Sequence, residues 1–377
     1  MTAIAAVFWV SIALLVYAQL GYPALLWVLA RVRRTPTSDA AGHGEPDVSL
    51  IVAAYQERTV IEAKVQNALA LDWPRERLEL IVACDGSTDG TPQAARDAGA
   101  DVVLELPRGG KIRAQDAAVA RARGDIVAFS DANALWDRGA LRALAEPFAD
   151  PGVGYVCGQV RFLGAAGDNQ EGLYWRYEMA IRALESRLAS VTAGNGAIYA
   201  TRRDSYIEVD PIMGHDLSLP FNMVKRGRRA VYAAGARASE KMVPSIEGEF
   251  ARKRRMMSHT WPIVLRGGML SPRGYGPLYA LMIASHRLLR YATPFLHVLA
   301  LALNVALVAA DAGVLYTVAL ASQGALLLAA LAAGALPLRP LLVARYYVLT
   351  TASLAAGLWD WLRHGTPAGW EPAQGTR

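Results

Sequence analysis

The residues best placed to do chemistry in this chain are acids that close short apolar runs. Asp85 opens the segment Asp85-Gly86-Ser87-Thr88-Asp89-Gly90, and Asp131 is followed by Ala132 and Asn133. An earlier run ends in Tyr55-Gln56-Glu57. A carboxylate accepts hydrogen bonds strongly, so Asp85 suits a ribose hydroxyl or a base N–H, and the glycine after it allows close approach. Asp131 and Asn133 flank one residue, so their oxygens can converge on a hard divalent cation clamped to a diphosphate. Mg2+ or Mn2+ fits, because such ions take one or two protein oxygens and complete their shell with phosphate and water. The cation would also neutralise charge on a departing diphosphate. Gly109-Gly110-Lys111 resembles a phosphate contact, although this tripeptide alone is common.

Any one of these groups could be an ordinary turn, since Asp, Gly, Ser and Thr dominate turns. Their position argues for more. Val48–Ala53, Leu78–Cys84, Asp101–Leu104 and Asp125–Ser130 read as buried strands. Thr59–Leu71 has helical spacing, with Val60, Ile61, Val65 and Leu69 recurring, and Thr91–Ala98 and Lys111–Ala122 read as further helices. Strands separated by helices of this length imply a parallel sheet with right-handed crossovers. Ligands bind such sheets at the carboxyl ends of the strands, where all three polar groups fall. They match a nucleotide sugar, which offers a base, a ribose and a diphosphate.

Five segments together resemble family 2 glycosyltransferases. Ser49–Glu57 looks like their opening strand and nucleotide loop, and Cys84–Gly90 like their DGSTDG segment. Gly109-Gly110-Lys111 through Gly124–Asn133 is similar to their GGK and D-x-D stretch. Gly194–Ala200 resembles the small-residue segment beside the acceptor, and Gly214-His215-Asp216-Leu217 sits at the (T/G)-E-D motif. The resemblance covers roughly residues 48–260. It implies a GT-A fold, an activated donor that is usually a UDP-sugar, and inversion at the anomeric carbon. By position, Ala54, Tyr55, Glu57 and Asp85 would line the nucleotide, with Lys111 near the donor. Asp131 would contact the donor and, with Asn133, the metal. Asp216 would be the base that takes the acceptor hydroxyl proton, with Gly194 and Asn195 near the acceptor.

The chain departs from the pattern in three places. Asn133 replaces the second acid of D-x-D, leaving an amide oxygen with less charge. His215 replaces the Glu beside the catalytic Asp, as a local hydrogen-bonding group or a pH-sensitive neighbour. The Q-x-x-R-W motif of processive synthases is missing from Phe250–Trp261, where Arg254 and Arg255 could hold a diphosphate and Trp261 could stack on a sugar. The same segment also reads as a basic amphipathic helix on a membrane surface.

Composition points to a bilayer. Hydrophobic residues make up 53% and charged residues 19%, the latter concentrated between Arg31 and Arg290. Residues 2–30 carry no charge and are long enough to cross a bilayer core of about 30 Å. No basic region precedes them and Arg31-Val32-Arg33-Arg34 follows, so they read as a retained anchor with the next domain cytoplasmic. The organisation expected is an anchor at 1–30, a linker at 31–46 and a cytoplasmic GT-A domain at 47–250. Basic and interfacial helices follow at 251–293, then three membrane helices at 294–361 and a tail at 362–377. Within this plan Leu278–Thr293 is an interfacial helix with His286, Arg287 and Arg290 on its polar side. If all three spans cross, that cluster before the first and Arg339 and Arg345 between the second and third both face the cytoplasm of a bacterial-type inner or plasma membrane.

The net charge of +6 gathers beside expected lipid or phosphate surfaces, which explains it better than nucleic acid does. Two cysteines, Cys84 and Cys157, offer neither metal-ligand spacing nor a disulfide framework and read as small buried hydrophobes. The reading that results is a transferase using a nucleotide-sugar donor and a glycan or lipid-linked acceptor at a lipid bilayer. A polyprenyl-phosphate monosaccharide transferase of the same fold and a non-catalytic nucleotide-sugar binder are the alternatives. A transporter fits poorly, since the spans lack repeat symmetry and intramembrane charge. Sugar, linkage, processivity and oligomeric state stay open.

Overall fold

The structure is a computed structural model that describes residues 2–32, 44–163, 170–241 and 246–369. Arg33, Arg34, most of the 31–46 linker and the end of the tail therefore lie outside the described residues. In chain order the elements begin with helix α1 (Thr2–Val32), β1 (Val48–Ala54), α2 (Ile61–Leu69), β2 (Leu78–Asp85), α3 (Thr91–Asp97) and β3 (Val102–Leu106). Next come α4 (Lys111–Val119), β4 (Ile126–Asp131), β5 (Leu135–Trp136), α5 (Ala140–Ala145), β6 (Val153–Leu163), α6 (Gln170–Leu188) and β7 (Ile198–Arg202). The chain continues with α7 (His215–Lys225), β8 (Arg229–Lys241), α8 (Ile246–Leu265), α9 (Pro277–Ala309), α10 (Val314–Ala332) and α11 (Arg339–His364).

The chain divides into two compact units. One holds an eight-stranded sheet of order β3-β2-β1-β4-β7-β6-β8-β5. As expected, β1 pairs in parallel with β2 and β4, and β2 with β3. The antiparallel half was not legible in the alternation of strands and helices: β7 runs against β4 and β6, and β5 against β8. The sheet is mixed, mostly parallel and covered on both faces, as a GT-A-like fold requires. On β1, Leu50, Val52 and Ala54 pack into one core with Ile61 and Val65, while Ile51 packs into the other with Val127 and Phe129. Cys84 and Cys157 are buried and unbridged, and burial pushes the Cys84 thiol up to about 12.

A polar knot pins the amino ends of the central strands. Ser49 Oγ donates to Glu79 Oε2 at 2.6 Å and accepts the Gly124 N–H at 2.9 Å. Arg123 donates to Glu79 through its backbone N–H at 2.9 Å and its Nε at 2.7 Å. One serine and one glutamate thereby tie β1, β2 and the entry to β4 into a single register. The parallel pairing then sets Ala54 opposite Cys84 and Ala53 opposite Asp131, so the loops carrying Tyr55, Asp85 and Asp131 leave the sheet at one level.

The other unit is helical. Phe8 of α1 packs with Ala300 and Leu307 of α9, and Tyr316 of α10 joins them. Among the described residues, four helices, α1, α9, α10 and α11, are long and apolar enough to cross a membrane. Two expectations need correction here. The interfacial helix and the first C-terminal span form one continuous helix, α9, with a π-helical turn at Ile283–Leu288 and Pro294 inside it. Proline bends rather than ends such a helix where packing supplies the lost stabilisation. His286, Arg287 and Arg290 are accordingly buried rather than displayed on a polar face.

Gly124 marks the tightest backbone approach in the knot, because a Cβ there would lie 2.4 Å from Ser49 N. Gly124→Ala should destabilise the sheet unit by about 1–3 kcal/mol, as overpacking does. A lower melting temperature in detergent checks this, and an unchanged one would refute the role given to the knot.

Candidate functional site

The site is built on the carboxyl edge of β1, β2 and β4. Two loops there are stitched together. Gln56, with a left-handed φ of 54°, donates its N–H to Ser87 Oγ at 3.1 Å and its side-chain amide to Thr88 Oγ1 at 3.1 Å. Asp89 Oδ2 accepts the Arg58 N–H at 3.0 Å, and Asp89 Oδ1 accepts the Thr91 N–H and hydroxyl. The second acid of the DGSTDG segment thus holds the loop. Glu57 is buried, and its N–H donates to Thr91 Oγ1 at 2.9 Å.

Asp85 is almost fully buried at the end of β2. Its carboxylate accepts the N–H groups of Gly109 at 2.6 Å and Gly110 at 3.0 Å, and pairs with the Arg108 guanidinium. That guanidinium also stacks on the Tyr55 ring, 3.3 Å from its centroid. Asp85 therefore shapes the Gly109-Gly110-Lys111 loop, and Tyr55 and Arg108 form a flat cationic shelf beside buried Ala54.

Lys111, at the start of α4, links the two halves of the site. Its ammonium pairs with Asp131 Oδ1 and donates to the Gly196 carbonyl at 3.4 Å. Asp131 is thus joined to the segment of Gly194, Asn195 and Gly196 that leads into β7. Asn195 Oδ1 accepts the Ala197 N–H at 3.3 Å. Gly194 lies directly on Tyr155, where a Cβ would stand 1.8 Å from the phenol oxygen. Its N–H donates to the Asp216 carbonyl at 2.6 Å, and its carbonyl accepts Arg182 Nη2 at 2.9 Å.

Asp216 sits in the first turn of α7 and accepts the Leu217 N–H at 3.0 Å. Burial lifts its carboxyl above the usual carboxylate value; the charge of Lys111 and the Leu217 bond pull it back, and Asp131 adds a smaller upward push. A carboxylate so held is a stronger base than a solvated one.

His215 takes a fixed place in a buried chain of hydrogen bonds. The Tyr206 hydroxyl donates to Asp116 Oδ1 at 2.6 Å, so its oxygen is left to accept from His215 Nε2 at 3.2 Å. Nδ1 then accepts the Tyr199 hydroxyl at 2.8 Å, which assigns the proton to Nε2. Burial first, and the charge of Lys111 second, push the imidazole down to about 3. The ring is a neutral strut over the working pH range, so it does not act as a pH-sensitive neighbour of Asp216.

Three further expected residues belong to the helical unit. Arg254 forms a two-pronged ion pair with Asp360, at 2.6 Å for each bond, within the helical unit. Trp261 is buried there too, packed against Tyr291 and Phe295, with its indole N–H on the Leu354 carbonyl at 2.9 Å. Arg255 is half-buried on the same helix, α8. The fork of Arg254 and the ring of Trp261 each join α8 to α11 in this structure.

One site residue escaped the sequence. Lys64 on α2 is fully buried, donates to the Ala134 carbonyl at 2.7 Å and lies 5.1 Å from the Trp136 ring centroid. It props the loop of Asp131 and Asn133 from below. Burial lowers its ammonium to about 7, against the opposing charges of Asp131 and Glu240. The available signal was a lysine on the apolar stripe of Ile61, Val65 and Ala68.

Among the described residues, no group of three or more His, Cys, Asp or Glu gathers as a metal site. Asp131 and Asn133 supply one carboxylate and one amide oxygen, and a cationic group, Lys111, already sits on Asp131. That donor set suits a hard cation whose remaining ligands come from phosphate and water, and could not hold one tightly alone.

Residues 49–209 match the family described as glycosyl transferase family 2. This segment is similar to family 2 glycosyltransferase domains. The motifs read from the sequence fall in and just beyond that segment, in the order that family has them. It is 33% identical over 216 residues to a beta-monoglucosyldiacylglycerol synthase of Synechocystis, a match covering 51% of this chain and 42% of that one. It is 24% identical over 197 residues to a poly-beta-1,6-N-acetyl-D-glucosamine synthase of Staphylococcus aureus, covering 49% and 47%. The chain thus spans about half the length of the curated relatives it matches. A mannosyltransferase of Pyrobaculum calidifontis, solved with GDP-Man and Mn2+, aligns over 95% of this chain and 99% of its own, with a TM-score of 0.72 and 26% identity.

The neutral His215 makes a testable contribution to acid stability. The unfolded imidazole takes a proton below its ordinary value of 6.5 and the folded one only near 3. The unfolded state therefore binds more protons in that window, and stability falls as the pH drops through it. His215→Gln should flatten this decline, seen as a smaller gap between melting temperatures at pH 7 and pH 4. An unchanged gap would contradict the buried neutral assignment.

Proposed function

We propose that the transferase moves a sugar, with inversion, from a nucleoside diphosphate sugar to a hydroxyl of a glycan or glycolipid at a membrane surface. The observation that carries this reading is the tie through Lys111. It holds Asp131, at the donor edge, against the segment whose Gly194 is bonded to Asp216. One carboxylate on the far side of the anomeric carbon from the diphosphate suffices for a single displacement.

In this mechanism the Tyr55–Arg108 shelf takes the flat base, and Ala54, Glu57 and Asp85 shape the nucleotide pocket around it. When bound, a divalent cation held by Asp131 and Asn133 supplies positive charge to the diphosphate leaving group. Lys111 stands beside the same oxygens and adds a second positive charge. Asp216 accepts the proton of the acceptor hydroxyl as that oxygen attacks. Tyr199, His215 and Tyr206 keep the floor of the site rigid, and Lys64 keeps the Asp131 loop in place.

The donor is open between pyrimidine and purine nucleotides. The expected UDP-sugar stands beside the GDP-Man bound by the structural relative, so both belong in the first screen. A lipid or glycan acceptor is supported by the relatives, whose names specify a glycolipid and a polysaccharide product. Four apolar helices support attachment to a membrane, with the basic flanks favouring a cytoplasmic catalytic domain.

Purified protein in detergent should release nucleoside diphosphate from one member of a panel of UDP-sugars and GDP-Man with Mn2+ or Mg2+. No release from any of them would overturn the proposal. Asp216→Asn should lower kcat by about 10²–10⁴, and a variant at wild-type rate would remove Asp216 from the chemistry. The acid limb of kcat/KM should lie above the ordinary aspartate value of 3.8, because burial raises this carboxyl. Asp131→Ala should raise the half-saturating metal concentration about tenfold or more, measured by titrating Mn2+ against nucleotide release.

A further inference from the structure

A cavity lies on the extension of the sheet beyond the site. Because β6 runs against β7 with Cys157 opposite Tyr199, residues Gln159–Leu163 continue past the edge at which β7 begins. That is the edge carrying Asp131 and the Gly194–Gly196 segment. There β6 and α6 enclose an open cavity of about 320 Å³ lined by Gln159, Arg161, Phe162, Trp175, Arg176 and Met179. This volume is at the small end for ligand pockets and suits one ring.

Its lining has the chemistry of a carbohydrate subsite. Phe162 and Trp175 meet edge to face, 5.3 Å between centroids, and both rings remain partly exposed. Such a pair covers one ring face and leaves the others for the C–H face of a sugar. Polar groups surround it. Gln159 is oriented by its amide N–H on the Ala234 carbonyl at 2.7 Å, which leaves its oxygen to accept a hydroxyl. Arg161 is anchored by an ion pair with Asp137 and keeps further N–H donors, and Arg176 is exposed. An acyl chain would gain nothing from two guanidinium groups and an amide, whereas a polyhydroxylated ring uses all three.

The distance to Asp216 sets what this ring can be. Trp175 precedes Arg182 by seven residues on α6, about 10 Å along the helix. Arg182 holds the Gly194 carbonyl, and the Gly194 N–H is bonded to the Asp216 carbonyl. The cavity is too far from Asp216 for the ring that bears the attacked hydroxyl, and within reach of a ring behind it. We infer that the acceptor is a glycan of at least two sugar residues, or a glycolipid with such a headgroup, and that its more distant ring lies between Phe162 and Trp175. This rests on the transfer reading above and narrows the acceptor within it.

The test uses the full chain in detergent with the active donor and octyl glycosides bearing one or two rings of glucose, mannose or N-acetylglucosamine. The wild type should show a KM about tenfold lower for the better two-ring acceptor than for its one-ring counterpart. Trp175→Ala should close that gap to less than about twofold, and Trp175→Phe should retain part of it. The ratio is read within each variant, so a loss of folded enzyme does not change it. Donor turnover with no gap in the wild type, with a gap that survives Trp175→Ala, or with no use of either acceptor would overturn the cavity assignment alone. No turnover of any donor would overturn it together with the transfer reading.

Discussion

The in-register pairing of β1 with β2 and β4 is the constraint on which the site depends. Parallel strands carry no shared turn to set their alignment, so a slip of one residue would be free to turn each side chain to the opposite face. Here the alignment is pinned at the amino ends by Ser49 and Glu79, which bind Arg123 and Gly124 across the strands. The consequence appears at the other end, where Tyr55, Asp85 and Asp131 emerge level with one another. A polar knot remote from the chemistry thus decides whether the acids can act on one ligand.

Above that edge, charged groups are held by one another rather than by solvent. Asp85 organises the loop that delivers Lys111, and Lys111 in turn spans Asp131 and Gly196. Such an arrangement has few degrees of freedom, which suits a reaction whose catalysis is mostly positioning and charge compensation. The substitution of His for Glu beside Asp216 fits this picture. A neutral imidazole with both nitrogens bonded to tyrosines gives the floor of the site rigidity without adding a second negative charge near Asp216.

The loss of the Q-x-x-R-W pattern also acquires a physical meaning. Arg254 and Trp261 join the helical unit through Asp360 and the Leu354 carbonyl. An aromatic surface open to a sugar within the sheet unit lies on β6 and α6, where Phe162 and Trp175 meet. Sequence comparison by motif looks along one helix for this function, whereas the fold offers it on a strand and a helix elsewhere.

The sequence by itself determined the fold class, the order of the nucleotide motifs and the apolar helices at both ends, because strand alternation, turn chemistry and hydrophobic length are local properties. Residue type and spacing also singled out Asp85 and Asp131, and the family resemblance added Asp216. Only the tertiary structure decided what each one touches. That Asp85 binds a loop, that Lys111 bridges two halves, and that Lys64 supports the Asp131 loop all follow from contacts between residues about 20 to 85 positions apart. The antiparallel half of the sheet and the continuity of α9 were hidden for the same reason. Pairing partners and the packing that carries a helix through Pro294 are supplied by distant parts of the chain, which no local pattern records.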